Sequence, residues 1–127
     1  LINEIDPSIT LIEETNNQKL FNDCEMVITF NNSTTSLEAI SQSTPVISLQ
    51  TERWALEDDI AQSNAIVSIS NVSDIEPSIK KIIHDNEFRQ NLIKNSSEFL
   101  SNYMANQGNS SFKIAELLKN LIIKNNN

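Results

Sequence analysis

Met26-Val27-Ile28-Thr29-Phe30-Asn31-Asn32-Ser33-Thr34-Thr35-Ser36-Leu37-Glu38-Ala39 is the stretch whose reading decides the fold. A short run of apolar and β-branched residues enters a cluster of small polar ones, and these open a segment with helical spacing. A run that lacks polar/apolar alternation reads as a strand covered on both faces, as in a parallel sheet. Thr35-Ser36-Leu37-Glu38 has the form of a capping box. It predicts a helix beginning at Thr35, with Leu37 and Ile40 on its apolar stripe.

Working outward, Pro45-Val46-Ile47-Ser48-Leu49 and Ala65-Ile66-Val67-Ser68-Ile69 repeat the strand pattern after helix-length intervals. That rhythm predicts βαβ units. Ile9-Thr10-Leu11-Ile12 is a fourth candidate, as an edge strand. Helices are expected over residues 16–23, 54–63 and about 87–103. Ser73-Asp74-Ile75-Glu76 is a second capping box, with Pro77 in the first turn and Ile79, Ile82 and Ile83 behind it. Gly108, the only glycine, reads as a helix C-cap or loop residue. Beyond it, Ile114, Leu117, Leu118, Leu121 and Ile122 mark a last amphipathic helix. The expectation is an α/β chain with a partial Rossmann-like three-layer fold. Its parallel sheet has three to four short strands, flanking helices and a helical C-terminal tail, with residues 1–127 as one domain.

Charge and composition narrow the function classes. Nine basic residues against 17 acidic leave a net charge of -8, and only Lys80-Lys81 are adjacent cations. Nucleic acid is therefore not expected as a partner, nor an anionic membrane surface. The single cysteine, Cys24, excludes an internal disulfide and a cysteine-rich metal site. No apolar run approaches the ~20 residues of a membrane span, so no transmembrane segment is expected and the reading is cytoplasmic. His84 sits at an expected helix end, where the dipole favours it. Glu57-Asp58-Asp59 reads as a solvated helix face. No metal or other cofactor is expected.

The chemistry is expected at residues 31–38. In an open parallel sheet, ligands bind outside the carboxyl ends of the strands. The helix start there presents unpaired N–H groups and a positive dipole end, which suit a phosphate. A carboxylate one turn inside can accept from a ribose diol. The loop after the second strand, Thr51-Glu52-Arg53-Trp54, would lie beside it. Arg53 would meet a phosphate there, and Trp54 would stack on a ring.

The run from Cys24 to Ala39 resembles the strand–turn–helix of nucleotide-sugar enzymes of the GT-B superfamily. It is similar above all to surface and capsular polysaccharide glycosyltransferases, CDP-glycerol glycerophosphotransferases and UDP-N-acetylglucosamine 2-epimerases. Ser33-Thr34 and Leu37-Glu38-Ala39 match their Ser-Thr and Leu-Glu-Ala positions, and Pro45-Val46-Ile47 matches the strand that follows. The tail around Asn106-Gln107-Gly108-Asn109-Ser110-Ser111 is similar to their closing segment. The resemblance implies that Ser33, Thr34 and Thr35 approach donor phosphates; Asn32, in the same turn, and Arg53, from the loop after the second strand, are substrate-binding candidates beside them. It implies that Glu38 holds the ribose. The chain would then be the donor-side, C-terminal portion of a longer two-domain glycosyltransferase, taking a UDP- or CDP-linked sugar. Catalytic residues would come from a missing N-terminal half or a partner subunit, with no activity expected from this chain alone. The family's glycine before Pro-Val-Ile is replaced here around Ser43-Thr44. Two alternatives stand beside this reading: Glu38 only caps its helix through Thr35, and the chain is a non-catalytic nucleotide-binding or subunit-interaction module pairing through its sheet edge.

Overall fold

A computed structural model describes residues 6–12, 16–31, 33–52, 58–104 and 108–125. In chain order the elements are α1 (Asn17–Asp23), β1 (Val27–Phe30), α2 (Thr34–Ser41), β2 (Val46–Leu49) and α3 (Asp59–Gln62), followed by β3 (Val67–Ile69). A 3-10 turn at Val72–Asp74 then leads into α4 (Ile75–His84), α5 (Asn86–Tyr103) and α6 (Ser110–Asn125). The three strands form one parallel sheet in the order β1-β2-β3. Val27 lies opposite Val46, and Ile47 opposite Val67. Flanking bonds prolong the ladder: Asn31 N–H donates to the Leu49 carbonyl (2.9 Å), and Gln50 N–H to that of Ile69 (2.7 Å). The fold is α/β with helices on both faces of the sheet, as the continuous apolar strands require.

Successive residues of a strand point to opposite faces, so β2 feeds two cores. Val46 packs with Phe21, Ala39, Ile40, Ile60, Ile66 and Leu100, under α1, α2 and α3. Ile47 packs with Ile69, Ile82 and Leu92, under α4. Val46 and Ile47 are fully buried, and each such side chain stabilises the fold by roughly 1.5–3 kcal/mol. Helix α5 serves both cores, giving Leu92 to one and Leu100 to the other. Its middle is fixed by the buried Ser96 hydroxyl, within hydrogen-bond reach of the Ala65 carbonyl (2.6 Å) and the Leu92 carbonyl (2.9 Å). Its start is fixed by Arg89, whose Nη1 meets the Glu25 carbonyl (3.0 Å) and carboxylate (3.1 Å).

Three expectations are corrected. Residues 9–12 form no strand. Asp6 Oδ1 accepts from Ser8 N–H (2.8 Å) and Oγ (2.7 Å), the Asp6 carbonyl accepts from Ile9 N–H (3.2 Å), and this local turn leaves Ile9, Leu11 and Ile12 exposed. Neither capping box forms. The N-cap of α2 is Ser33, two residues before the Thr35 the box requires, which carries Glu38 past the position from which it could reach back. Helix α4 has Asp74 at its N-cap without a side-chain cap bond, and Ser73 is taken up in the 3-10 turn before it. The helix expected over 54–63 is described only from Asp59, since residues 53–57 lie outside the described ones.

The missing glycine has a structural answer. After α2, Ser43 takes φ 60°, its N–H donates to the Ile40 carbonyl (3.0 Å), and Thr44 N–H donates to that of Ala39 (3.1 Å). This is a Schellman closure, with serine at the left-handed position where glycine is usual. A Cβ in that conformation costs about 1–2 kcal/mol, partly offset by the greater unfolded-state freedom of glycine. Ser43→Gly is expected to raise stability by about 0.5–1 kcal/mol. A chemical denaturation midpoint that moves up at unchanged slope would bear this out, and an unmoved midpoint would refute it.

Candidate functional site

The residues after β1 leave the sheet at its carboxyl end through Asn31, which has φ 50°. Asparagine tolerates this left-handed conformation better than most side chains. Its carboxamide then reaches across to the loop after β2. Asn31 Oδ1 accepts from Thr51 N–H (2.9 Å), Thr51 Oγ1 (3.1 Å) and Glu52 N–H (3.3 Å), and Nδ2 lies 3.0 Å from Thr51 Oγ1. The Asn31 carbonyl accepts from the buried Ser48 hydroxyl (2.6 Å). Asn31 therefore staples two βα loops together instead of pointing at a ligand.

Ser33 follows as the N-cap of α2. Its Oγ accepts from Thr35 N–H (3.2 Å), and its carbonyl accepts from Ser36 N–H (2.9 Å). Two first-turn N–H groups are thus committed within the helix, and an incoming oxyanion would compete with the Ser33 hydroxyl for Thr35. Ser36 is buried, its hydroxyl 2.9 Å from that of Thr29, so it ties α2 to β1. Thr34 is exposed and Thr35 half-buried. Glu38 is exposed on the second turn, where its Oε2 accepts from Asn17 Nδ2 (3.1 Å) and links α2 to α1.

A cleft of about 190 Å³ opens at this helix start, lined by Ser33, Thr34, Leu37, Asp58, Ile60 and Tyr103. Ser33 and Thr34 are brought together in it, while Glu38 and Thr35 are not among its lining residues. Asn32 and Arg53 lie outside the described residues. Two lining residues escaped the sequence reading. Asp58 caps α3 through Ile60 N–H (3.3 Å) and brings a carboxylate to the wall. Tyr103 closes α5, is 56% exposed and stacks on Phe99 at 5.0 Å and 19°. No local signal marks Tyr103, because α5 alone carries it back to the start of α2. Among the described residues the lining holds a carboxylate, three hydroxyls, one of them on the ring of Tyr103, and no cation. Hydroxyls, a carboxylate and a ring face suit the hydroxyls and ring of a sugar.

Elsewhere, Cys24 is half-buried at the end of α1, and His84 closes α4 exposed to solvent. Among the described residues, no cluster of three His, Cys, Asp or Glu side chains could hold a metal. Among those residues too, no helix is long and apolar enough to cross a membrane.

No protein-family model, curated protein or solved structure matches the chain. The fold itself defines a class: a parallel-sheet α/β protein with a partial Rossmann-like architecture and a helical C-terminal region.

Asn31→Ala is expected to cost about 1–2 kcal/mol, because it removes the bonds that bridge the two loops and leaves an ordinary side chain at positive φ. Asn31→Asp keeps the acceptor and should lose less than about 1 kcal/mol. Equal losses by chemical denaturation would mean that Oδ1 is not what holds the loops.

Proposed function

We propose that this chain supplies the donor-side wall of a nucleotide-sugar site, as part of a glycosyltransferase of surface polysaccharide synthesis. The observation that supports the reading best is the exit from β1. At the carboxyl end of a parallel sheet, consecutive residues pass from an exposed Phe30 through the Asn31 staple into Ser33 and Thr34 at a helix start. Ligands of open α/β sheets collect at such ends, and phosphates at such helix starts. The sugar lies in the cleft against Tyr103, with its hydroxyls toward Asp58 and Thr34. The diphosphate passes the Thr34 end of α2, and the donor is UDP- or CDP-linked.

At about 190 Å³ the cleft is smaller than the roughly 300–1,000 Å³ of ordinary ligand sites. A whole nucleotide sugar needs a second wall, from another domain or a partner subunit. The general base comes from that second wall. Glu38 has acceptor sites to spare for a ribose beside its bond to Asn17.

A second reading has its own support. Every described side chain of α6 is exposed, including Phe112, Ile114, Leu117, Leu118, Leu121 and Ile122. An apolar face of that breadth on a soluble helix marks an interaction surface. Under this reading the chain is a non-catalytic module that pairs with another subunit.

Titration with UDP-, CDP- and GDP-sugars, followed by NMR, separates the two. Donor binding should shift Ser33, Thr34, Asp58 and Tyr103. Tyr103→Ala should weaken it about tenfold, which is roughly 1.4 kcal/mol, and Glu38→Ala reports whether the ribose contact exists. Silence at millimolar concentrations of all three donors would sink the donor-site reading and leave the module.

A further inference from the structure

We infer that the apolar stripe of α6 docks on the open face of β1 in a second copy of this chain, two copies exchanging their α6 helices. The inference rests on the second reading above, in which α6 is an interaction surface, and names what covers it.

Two apolar surfaces stand without a partner in this structure. The first is the stripe of α6, where Ile114, Leu117, Leu118, Leu121 and Ile122 share one side of the helix and all are exposed. Lys113 and Lys119 fall on its two flanks. The second surface is on the sheet. Ile28 and Phe30 share a face with their register partners Ile47 and Leu49, yet stay exposed. From Phe30 this surface runs into a hollow of about 140 Å³, bounded by Leu49, Ile69, Val72 and Ile75, with Val72 exposed at the rim. The faces of a parallel sheet are covered by helices, and this part of β1 lacks one. Of the described helices, α6 is the one that buries no side chain. One chain thus carries both halves of a contact that it does not make with itself.

Charge selects the second copy as the occupant. Helix α6 carries three lysines against one glutamate, on a chain whose net charge is -8. At the carboxyl end of the open face, Glu52 and Asp74 stand exposed, the first next to Thr51 and the second between Val72 and Ile75 of the hollow's wall. The cations of α4 and early α5 are already engaged: Lys80 with Glu76 (2.6 Å), Arg89 with Glu25 (3.1 Å) and Lys81 with the ring of Phe88 (4.2 Å). A cationic helix therefore meets an acidic rim. Because each copy carries both halves, an exchange makes the contact twice about a two-fold axis and closes the assembly. Two such contacts bury roughly 1,600 Å² in all, the size of a standard interface.

The test is sedimentation of the full chain, read beside amide hydrogen exchange. The wild type should sediment as a dimer with the amides of α6 protected. Phe30→Lys on the sheet face, and the double variant Leu117→Lys with Leu121→Lys on the helix, all at exposed positions, should each be monomeric. In both, the β2 amides should stay protected while those of α6 exchange at least tenfold faster. Val72→Lys repeats the first variant outside the sheet. Mixing supplies the decisive outcome, since the two variants together still hold one intact helix and one intact face. Unlabelled Phe30→Lys chain added to the isotope-labelled double variant should therefore shift the amides of Ile28, Phe30 and Val72. A dimer that survives both Phe30→Lys and Val72→Lys, or labelled amides that stay put on mixing, would overturn the exchange and leave α6 an interaction surface of another kind. A monomeric wild type with freely exchanging α6 amides would do the same. A monomeric wild type with protected α6 amides has that helix folded against its own chain, and the module reading then fails as well.

Discussion

The Ser48 hydroxyl, fully buried in the central strand, donates its one proton to the carbonyl of Asn31. Much of the upper end of the molecule follows from that bond. It helps hold Asn31 where its backbone turns left-handed and its carboxamide can cross to Thr51 and Glu52. Through Asn31 it sets the direction in which the chain leaves β1, and so the point at which α2 begins. Through its own lone pair it fixes the amide of Gln50. The loops after β1 and β2 are thereby held in register with the sheet. A buried polar network of this kind is favourable only when its members are satisfied. Among the described residues, Gln50 Oε1 is the buried side-chain atom left without a partner.

Below this network the sheet is ordinary in its physics. Three short strands are buried because helices lie on both faces, and the helices are ordered because the strands give them apolar surface to cover. The coverage is uneven. Ile28 and Phe30 share the face of their register partners Ile47 and Leu49 yet remain exposed, at 44% and 67%. Helix α4 shields β2 and β3 on this face and leaves β1 partly open. Among the described residues, β1 also pairs with β2 alone.

The strands were legible in the sequence because double-sided burial writes itself as unbroken runs such as Val46-Ile47, and the amphipathic helices because their stripes repeat. Helix starts were less legible. Ser33, Thr34 and Thr35 are all fit to cap α2, and the choice of Ser33 depends on how Asn31 leaves the sheet, which no local pattern records. The same holds for residues 9–12, where alternation alone cannot supply a neighbouring strand to pair with. Of the candidate site, the polar turn after β1 could be read and Ser33 and Thr34 do line a cleft. Tyr103 and Asp58 could not be read, since tertiary packing brings them there from distant elements.

Helix α5 gives Leu92 to one core and Leu100 to the other, with Ser96 bonded to the chain between them. The two faces of the sheet are therefore joined by a single rod and cannot melt one after the other without bending it. Native-state hydrogen exchange would see one cooperative unit in which the amides of β2 and central α5 open together, at close to the global free energy. Helix α6 contributes to neither core and stands outside that unit. Its sixteen residues are near the length at which a lone helix is marginal in water, so its amides exchange by fraying until some surface covers its apolar side.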